Sequence, residues 1–145
     1  MRIMAIDYGD ARTGVAVSDE SASLAGEAWV IREGSPEEAA RAIATAAVSR
    51  GVSIVVVGYP KNMNGTVGPR AEKSEQFAEL IRSQQLSASP PSDGFEVVLW
   101  DERMTTMSAH RILTDTGRHG KKRKNTIDAV AASLILESYL RSRQA

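Results

Sequence analysis

Short apolar runs separated by polar turns dominate the first third of the chain. The runs at 2–6, 14–18 and 28–32 are divided only by turn-forming residues. Strands of this length with short connections are typical of an antiparallel meander. A fourth run at 53–57 is continuous and rich in β-branched residues, which predicts a strand that is buried on both faces.

Helical patterns follow these strands. The sequence SPEE at 35–38 combines a capping serine, a proline at the first helical position and a glutamate three residues after the cap, so it predicts a helix that ends near residue 50. Residues 69–86 and 107–116 are predicted as further helices, and Asn125-Thr126 is expected to cap a closing helix. The apolar face of that closing helix is predicted from Ile127, Val130, Ala131, Leu134, Ile135 and Tyr139.

The remaining pattern completes one α/β domain over residues 1–145. Residues 95–100 form the last predicted strand, and the polar sequence SASPPSDG at 87–94 is interpreted as a mobile linker within the domain. The predicted order is therefore β-β-β-α-β-α-β-α-α. We expect a mixed five-stranded sheet with helices on both faces.

Composition narrows the class of protein. The chain has 145 residues, 42% of them hydrophobic, which is enough for one buried core. Cysteine is absent, so disulfides, cysteine zinc sites and cysteine nucleophiles are excluded. No apolar run approaches the roughly 18 residues that a membrane span requires. We therefore expect a cytoplasmic protein with no membrane contact.

Charge is balanced overall but uneven along the chain. Eighteen basic and 18 acidic residues give a net charge of zero, which argues against a protein that coats nucleic acid through bulk charge. Five of the seven residues in RHGKKRK at 118–124 are Lys or Arg. That segment is predicted as a basic loop, and any contact with a polyanion would be local.

Three carboxylates occupy similar positions in the predicted fold. Asp7 ends the first strand, Glu102 follows the last strand, and Asp128 lies in the first turn of the closing helix. If the two strands are parallel neighbours and the helix crosses their carboxyl ends, the three side chains converge. Such a cluster needs a cation, and ligands that are all oxygen suit Mg²⁺ or Mn²⁺. Two such ions support hydrolysis of a phosphodiester bond.

Each carboxylate also has a structural interpretation. Asp7 would satisfy backbone donors in a turn, and Glu102 would pair with Arg103 or Arg111 on a solvated face. Asp128 would join Asn125 in a capping arrangement. The three residues together, at strand ends and a helix start, favour the metal site.

Four segments carry a resemblance to a known family. They are DYGDARTGVAVSD at 7–19, VVGYPKNMNGTVGPRAE at 56–72, WDERMTT at 100–106 and KKRKNTIDAVAA at 121–132. They resemble the YqgF-type family of Holliday-junction-resolvase-like nucleases. The resemblance implies a ribonuclease H-like fold and processing of the precursor of 16S ribosomal RNA, with branched DNA as the alternative substrate and ribosomal particles as possible partners.

The same resemblance assigns residues to roles. It implies that Asp7, Glu102 and Asp128 are the catalytic metal ligands. Together with the basic run and the polar central loop, it yields a set of candidate nucleic-acid contacts, because guanidinium and ammonium groups bind phosphate oxygens. The set comprises Arg12, Lys61, Asn62, Arg70, Arg103, Lys121, Lys122, Arg123 and Lys124. For Arg70 the alternative is a salt bridge to Glu72 or Glu75, and for the basic run it is a solvated loop.

Two other function classes remain open at this point. The first is a nucleic-acid-binding factor with little activity, because Ala11 stands where the family often has lysine and Asp101, the nearest candidate for a fourth ligand, is expected to point away from Glu102. The second is a phosphotransferase lobe, because residues 7–19 also resemble the phosphate-binding turn of actin-like ATPases. Those ATPases need two such lobes to enclose a nucleotide, and 145 residues provide only one, so we rank this class last. We expect a monomer or a weak homodimer.

Overall fold

The computed structural model describes residues 1–32, 35–62, 64–86, 94–101 and 120–144, and for 86, 120–127 and 144 it describes the backbone only. The predicted helix at 107–116, the residues Glu102 and Arg103, and all of the predicted linker except Gly94 lie outside these ranges.

A five-stranded mixed sheet forms the centre of the molecule. Its strands are β1 (Arg2–Asp7), β2 (Thr13–Ser18), β3 (Ala25–Ile31), β4 (Val52–Tyr59) and β5 (Glu96–Asp101), and its helices are α1 (Pro36–Ser49), α2 (Pro69–Leu86) and α3 (Gly120–Gln144). The strand order is β3-β2-β1-β4-β5. The first three strands are antiparallel neighbours, whereas β4 and β5 run parallel to β1. The predicted mixed sheet and its initial meander are confirmed.

One condition stated for the convergence of the three carboxylates is not met. The first and last strands are not neighbours, because β4 lies between them: Ile6 pairs with Val57, and Val57 pairs with Leu99. The continuous apolar sequence of β4 makes it the central parallel strand, and the crossover through α2 then places β5 outside it. The carboxyl ends of β1 and β5 still share one edge of the sheet, about 10 Å apart.

Helices cover the sheet on both faces and bury two core layers. Under α1 and α2 lies a layer that includes Met4, Ile6, Val15, Val57, Ile43, Phe77 and Ile81. Under α3 lies a second layer that includes Ile3, Ala5, Ala16, Val56, Ala132, Ile135, Leu136 and Leu140. Successive residues of β1 alternate between these layers, as a pleated strand requires. No helix in the described ranges is both long and apolar enough to cross a membrane.

The start of α1 matches its prediction, but the start of α3 does not. Ser35 caps α1 by accepting a hydrogen bond from the Glu38 backbone N–H at 3.2 Å. Helix α3 begins at Gly120 rather than at the Asn125-Thr126 pair, so 120–124 of the predicted basic loop are helical. Lys and Arg are good helix formers, and here they override a local capping signal. Asp128 consequently lies eight residues after the first residue of α3, not in its first turn.

The buried stripe of α3 is also rotated from the predicted one. Ala132, Ile135, Leu136 and Leu140 are fully buried, whereas among the members of the predicted face whose side chains are described, at 130, 131, 134, 135 and 139, only Ile135 is. Helix α3 has apolar residues on most sides, so its periodicity alone does not identify the stripe that meets the sheet. Asp128 lies one turn before Ala132, in line with this stripe. The helix therefore turns Asp128 toward the sheet.

The buried hydroxyl of Ser18 yields a test of the sheet. The pairing of β1 with β4 shifts register between Arg2 and Ile3, and the Ile3 N–H donates to Ser18 Oγ at 2.9 Å. We predict that Ser18→Ala lowers the free energy of unfolding by about 1–3 kcal/mol, because it leaves a buried N–H without an acceptor. Urea denaturation measures the change.

Ser23→Ala is the matched control, because Ser23 is exposed and its hydroxyl accepts a hydrogen bond from Ser21 in the same turn. It should change the free energy of unfolding by no more than about 0.5 kcal/mol. Equal effects of the two substitutions would contradict a structural role for the Ser18 hydroxyl.

Candidate metal and nucleic-acid site

Asp7 lies at the carboxyl-end edge of the sheet, on the face covered by α3. It is the last residue of β1, and Ile3 and Ala5, two and four positions earlier, pack in the layer under α3. Strand alternation therefore directs Asp7 to the same face. In the antiparallel ladder it pairs with Gly14 of β2.

Gly14 brings the backbone of α3 onto the sheet at this point. A Cβ atom at residue 14 would overlap the carbonyl oxygen of Asp128, and it would also press on the neighbouring carbonyl carbon, 2.6 Å away. Only glycine leaves room for this approach. Because Gly14 is the ladder partner of Asp7, the contact places the backbone of Asp128 beside the end of β1 that carries Asp7.

An ion pair joins the turn after β1 to the same helix. Arg12 Nε donates to Asp128 Oδ2 at 2.7 Å, and the two side chains are 29% and 20% exposed. The turn that carries Arg12 is tight, since a Cβ at Gly9 would lie 2.5 Å from the Arg12 carbonyl oxygen. Arg12, which we predicted as a phosphate contact, thus has a carboxylate partner 116 positions away.

The described part of this site fits a divalent cation. Its donors are carboxylate oxygens, which Mg²⁺ and Mn²⁺ prefer, and Asp128 already attracts a positive group in Arg12. On β4, Gly58 has no side chain, and it pairs with Trp100 of β5, so no side chain of β4 fills this part of the edge. No group of three metal-binding residues is present among the described residues. The third predicted ligand, Glu102, is outside them.

Asp101 lies on the other face of the sheet. Val98 and Trp100 of β5 pack in the layer under α3, whereas Val97 packs under α1 and α2. Alternation gives Asp101 the same face as Val97, away from Asp7. The expectation that Asp101 points away from Glu102 stays a prediction, because Glu102 lies outside the described residues.

The loop after β4 is held by its own hydrogen bonds. Asn62 Nδ2 donates to Thr66 Oγ1 at 2.9 Å, the Asn62 N–H donates to the Thr66 carbonyl at 2.9 Å, and the Asn62 amide lies against Gly68. The side chain of Asn62, predicted to contact nucleic acid, therefore shapes the loop that carries it. Sequence reasoning missed this role, although an Asn two residues before another Asn and a Gly signals a turn.

Tyr59 and Lys61 anchor the start of the same loop. The Tyr59 hydroxyl donates to a carboxylate oxygen of Glu75, and this hydrogen bond raises the pKa of Tyr59 to about 12. The Lys61 ammonium lies 5.7 Å from the centre of the Tyr59 ring. Tyr59 thus ties the end of β4 to α2, and Lys61 lies over its ring.

The other candidate contacts divide into exposed and undescribed side chains. Arg70 is exposed at the start of α2, and none of the ion pairs found in the described ranges links it to Glu72 or Glu75. Nearby, Lys73 Nζ contacts Asp10 Oδ1 at 3.0 Å. The backbone of 121–124 is helical, but the side chains of Lys121, Lys122, Arg123 and Lys124, like Arg103, are outside the described features.

The strand order and the acidic edge of the sheet define the fold class of the chain. The sheet has the strand order 3-2-1-4-5 and is covered by helices on both faces. Its central strand β1 is antiparallel to β2 and parallel to β4, and it ends in an acidic residue. This arrangement is the ribonuclease H-like architecture. Within that class, the family model described as Holliday junction resolvase, RuvX, matches residues 1–142. The chain belongs to this family.

Relatives agree with this assignment over nearly the whole chain. A protein of Halothermothrix orenii named "Putative pre-16S rRNA nuclease" is 44% identical over 140 residues, which are 97% of this chain and 94% of the relative. A protein of the same name from Geobacillus sp. strain WCH70 is 44% identical over 146 residues, 99% of this chain and 100% of the relative.

Solved structures share the fold at low identity. The fowlpox virus resolvase in complex with Holliday junction DNA aligns with a TM-score of 0.61 and 13% identity, covering 100% of both chains. RuvC of T. thermophilus in complex with a Holliday junction aligns with a TM-score of 0.57 and 17% identity, covering 100% of this chain and 98% of that one. The predicted ribonuclease H-like fold is confirmed.

Gly14 gives the most direct test of this geometry. We predict that Gly14→Ala lowers the free energy of unfolding by about 1–3 kcal/mol, because the added methyl group forces the α3 backbone away from β2. Thermal and urea denaturation measure the effect.

Gly26→Ala is the matched control, since a Cβ there would lie 3.2 Å from the Val17 carbonyl oxygen and would need only a small adjustment. If both glycine substitutions cost the same, the contact between Gly14 and Asp128 does not constrain the helix.

Proposed function

We propose that this chain is a divalent-metal-dependent nuclease that hydrolyses phosphodiester bonds in the precursor of 16S ribosomal RNA. The observation that carries the proposal is the contact of the Asp128 backbone with Gly14, which is the ladder partner of Asp7 at the carboxyl-end edge of the sheet. Family membership supports the reaction class, and the names of the relatives support the substrate.

Asp7, Asp128 and Glu102 would hold Mg²⁺ or Mn²⁺. When bound, such ions activate a water and stabilise the leaving oxygen of an in-line displacement. The chain's own part is to hold the carboxylates in place: β1 fixes Asp7, and α3 lies on Gly14 and fixes Asp128. Glu102 follows β5, which ends at the same edge of the sheet.

Substrate recognition would rest on phosphate contacts and shape. Only 5% of the residues are aromatic, which is few for a platform that stacks exposed bases. Arg70 is exposed at the start of α2, and the basic segment at 121–124 precedes Asp128 on one continuous helix by one to two turns. Both are suited to attract a phosphate backbone toward the acidic edge.

RNA is the preferred substrate in this proposal because the relatives named for precursor RNA are 44% identical over almost the full chain. The DNA-bound resolvases share 13–17% identity and support the fold alone. Such a function would place the protein in the cytoplasm beside ribosomal particles. The expected monomer or weak homodimer stays a prediction.

The test is cleavage of a precursor 16S transcript and of a four-way DNA junction with Mg²⁺, with Mn²⁺ and with EDTA. We predict metal-dependent cleavage of the transcript, and a loss of at least about 100-fold in Asp7→Asn, because metal catalysis supplies several kcal/mol and each 1.36 kcal/mol is a factor of ten.

Asp10→Asn is the matched control. Asp10 lies three residues away on the same turn, but its side chain is 78% exposed and pairs with Lys73. Its rate should stay close to wild type. Full activity of Asp7→Asn would refute the assignment of the metal ligand. Binding of the transcript without cleavage in either metal would identify a nucleic-acid-binding factor instead.

A further inference from the structure

We propose that Arg12 is an exchangeable counter-ion of Asp128. While it is paired, Arg12 lowers the affinity of the site for a divalent metal. A phosphate of the substrate relieves this effect by binding the guanidinium in place of Asp128. The inference rests on the proposed metal site and adds a role that couples metal binding to substrate binding.

The Arg12–Asp128 pair is built into the fold. Its side chains are 29% and 20% exposed, whereas the pair of Lys73 with Asp10 is 54% and 78% exposed. Among the ion pairs of the described ranges it is the most buried. A tight turn presents one partner, and the glycine contact at residue 14 fixes the backbone of the other. Such a pair is screened less than a surface pair.

The pair opposes a metal at the same carboxylate. A divalent ion that binds Oδ2 through its other lone pair would lie within a few ångströms of the Arg12 Nε, which is 2.7 Å from that oxygen, and the two positive charges would repel. A divalent ion that binds Oδ1 instead would lie a few ångströms from the guanidinium, and like charges at that distance repel. By either route Arg12 weakens metal binding in the protein without substrate.

A phosphate reverses this effect. Guanidinium groups bind phosphate oxygens with two parallel hydrogen bonds, so a substrate phosphate at this edge competes with Asp128 for Arg12. Once Arg12 has moved, the carboxylate is free for the metal. Metal and substrate then strengthen each other's binding by the same factor, as linkage requires. In the metal-free protein, Arg12 also offsets the repulsion between Asp7 and Asp128.

The experiment measures Mn²⁺ binding without nucleic acid, by the electron paramagnetic resonance signal of free Mn²⁺ at low ionic strength. We expect Arg12→Gln to bind Mn²⁺ at least about fivefold more tightly than wild type, because a neighbouring positive charge has been removed. Lys73→Gln removes a positive charge from the same region but not from Asp128, and its dissociation constant should stay within about twofold of wild type.

A second measurement uses the wild-type chain and needs no variant. Addition of diamagnetic Mg²⁺ should shift the ¹⁵N–Hε resonance of Arg12 and speed its exchange with water as the pair opens. A resonance that does not change while Mg²⁺ binds would overturn the inference.

The outcomes separate this inference from the proposed function. Equal or weaker Mn²⁺ binding by Arg12→Gln, with binding intact in wild type, would overturn the counter-ion role and leave the metal site standing. Absence of Mn²⁺ binding in both wild type and Arg12→Gln would overturn the metal site, and the inference with it.

Discussion

The close contact between α3 and β2 at Gly14 is the constraint on which the site depends. Like-charged carboxylates repel, so a fold brings Asp7 and Asp128 together only if other interactions hold their backbones in place. Here the α3 stripe that ends in Ile135, Leu136 and Leu140 is buried against the sheet. Each of these larger side chains contributes about 1.5–3 kcal/mol. The apolar part of α3 thus holds Asp128 at the sheet edge.

The two faces of the sheet carry different groups: one bears the candidate site, and the other bears contacts that hold α2. The face under α3 presents Asp7, Asp128 and Arg12 at the carboxyl-end edge. On the opposite face, Tyr59 bonds to Glu75, and Tyr8 stacks on Phe77 with ring centres 4.1 Å apart. These contacts fix α2 and the loop at 60–62 and 64–68 beside the acidic edge. The loop and the start of α2 therefore lie beside the acidic edge, where the proposed substrate would approach.

Local patterns in the sequence predicted most of the elements. The strands were evident because their apolar runs end at turn residues, and α1 was evident because Ser35 and Pro36 form a complete start signal. The start of α3 differs from its prediction because the capping signal at Asn125 favours a later start, whereas the basic residues before it have high helix propensity. The correct stripe of α3 depends on the sheet that it meets, which no local pattern encodes.

The site was only partly predictable for a similar reason. The sequence predicts Asp7 and Asp128 as ligands from a strand end, from an expected helix start and from the family resemblance. Their link through Gly14, and the ion pair of Asp128 with Arg12, connect segments more than 100 positions apart. A glycine near the start of a strand and an arginine in a turn have many ordinary explanations, so their spatial roles emerge only from the fold.

A crystal structure of the protein grown with Mn²⁺ tests the central claim most directly. The account predicts anomalous density at the carboxyl-end edge of the sheet, bound by Asp7, Asp128 and Glu102, with Arg12 Nε moved away from Asp128 Oδ2. Mn²⁺ bound elsewhere, or an edge without metal at which the Asp7 and Asp128 carboxylates point apart, would contradict it.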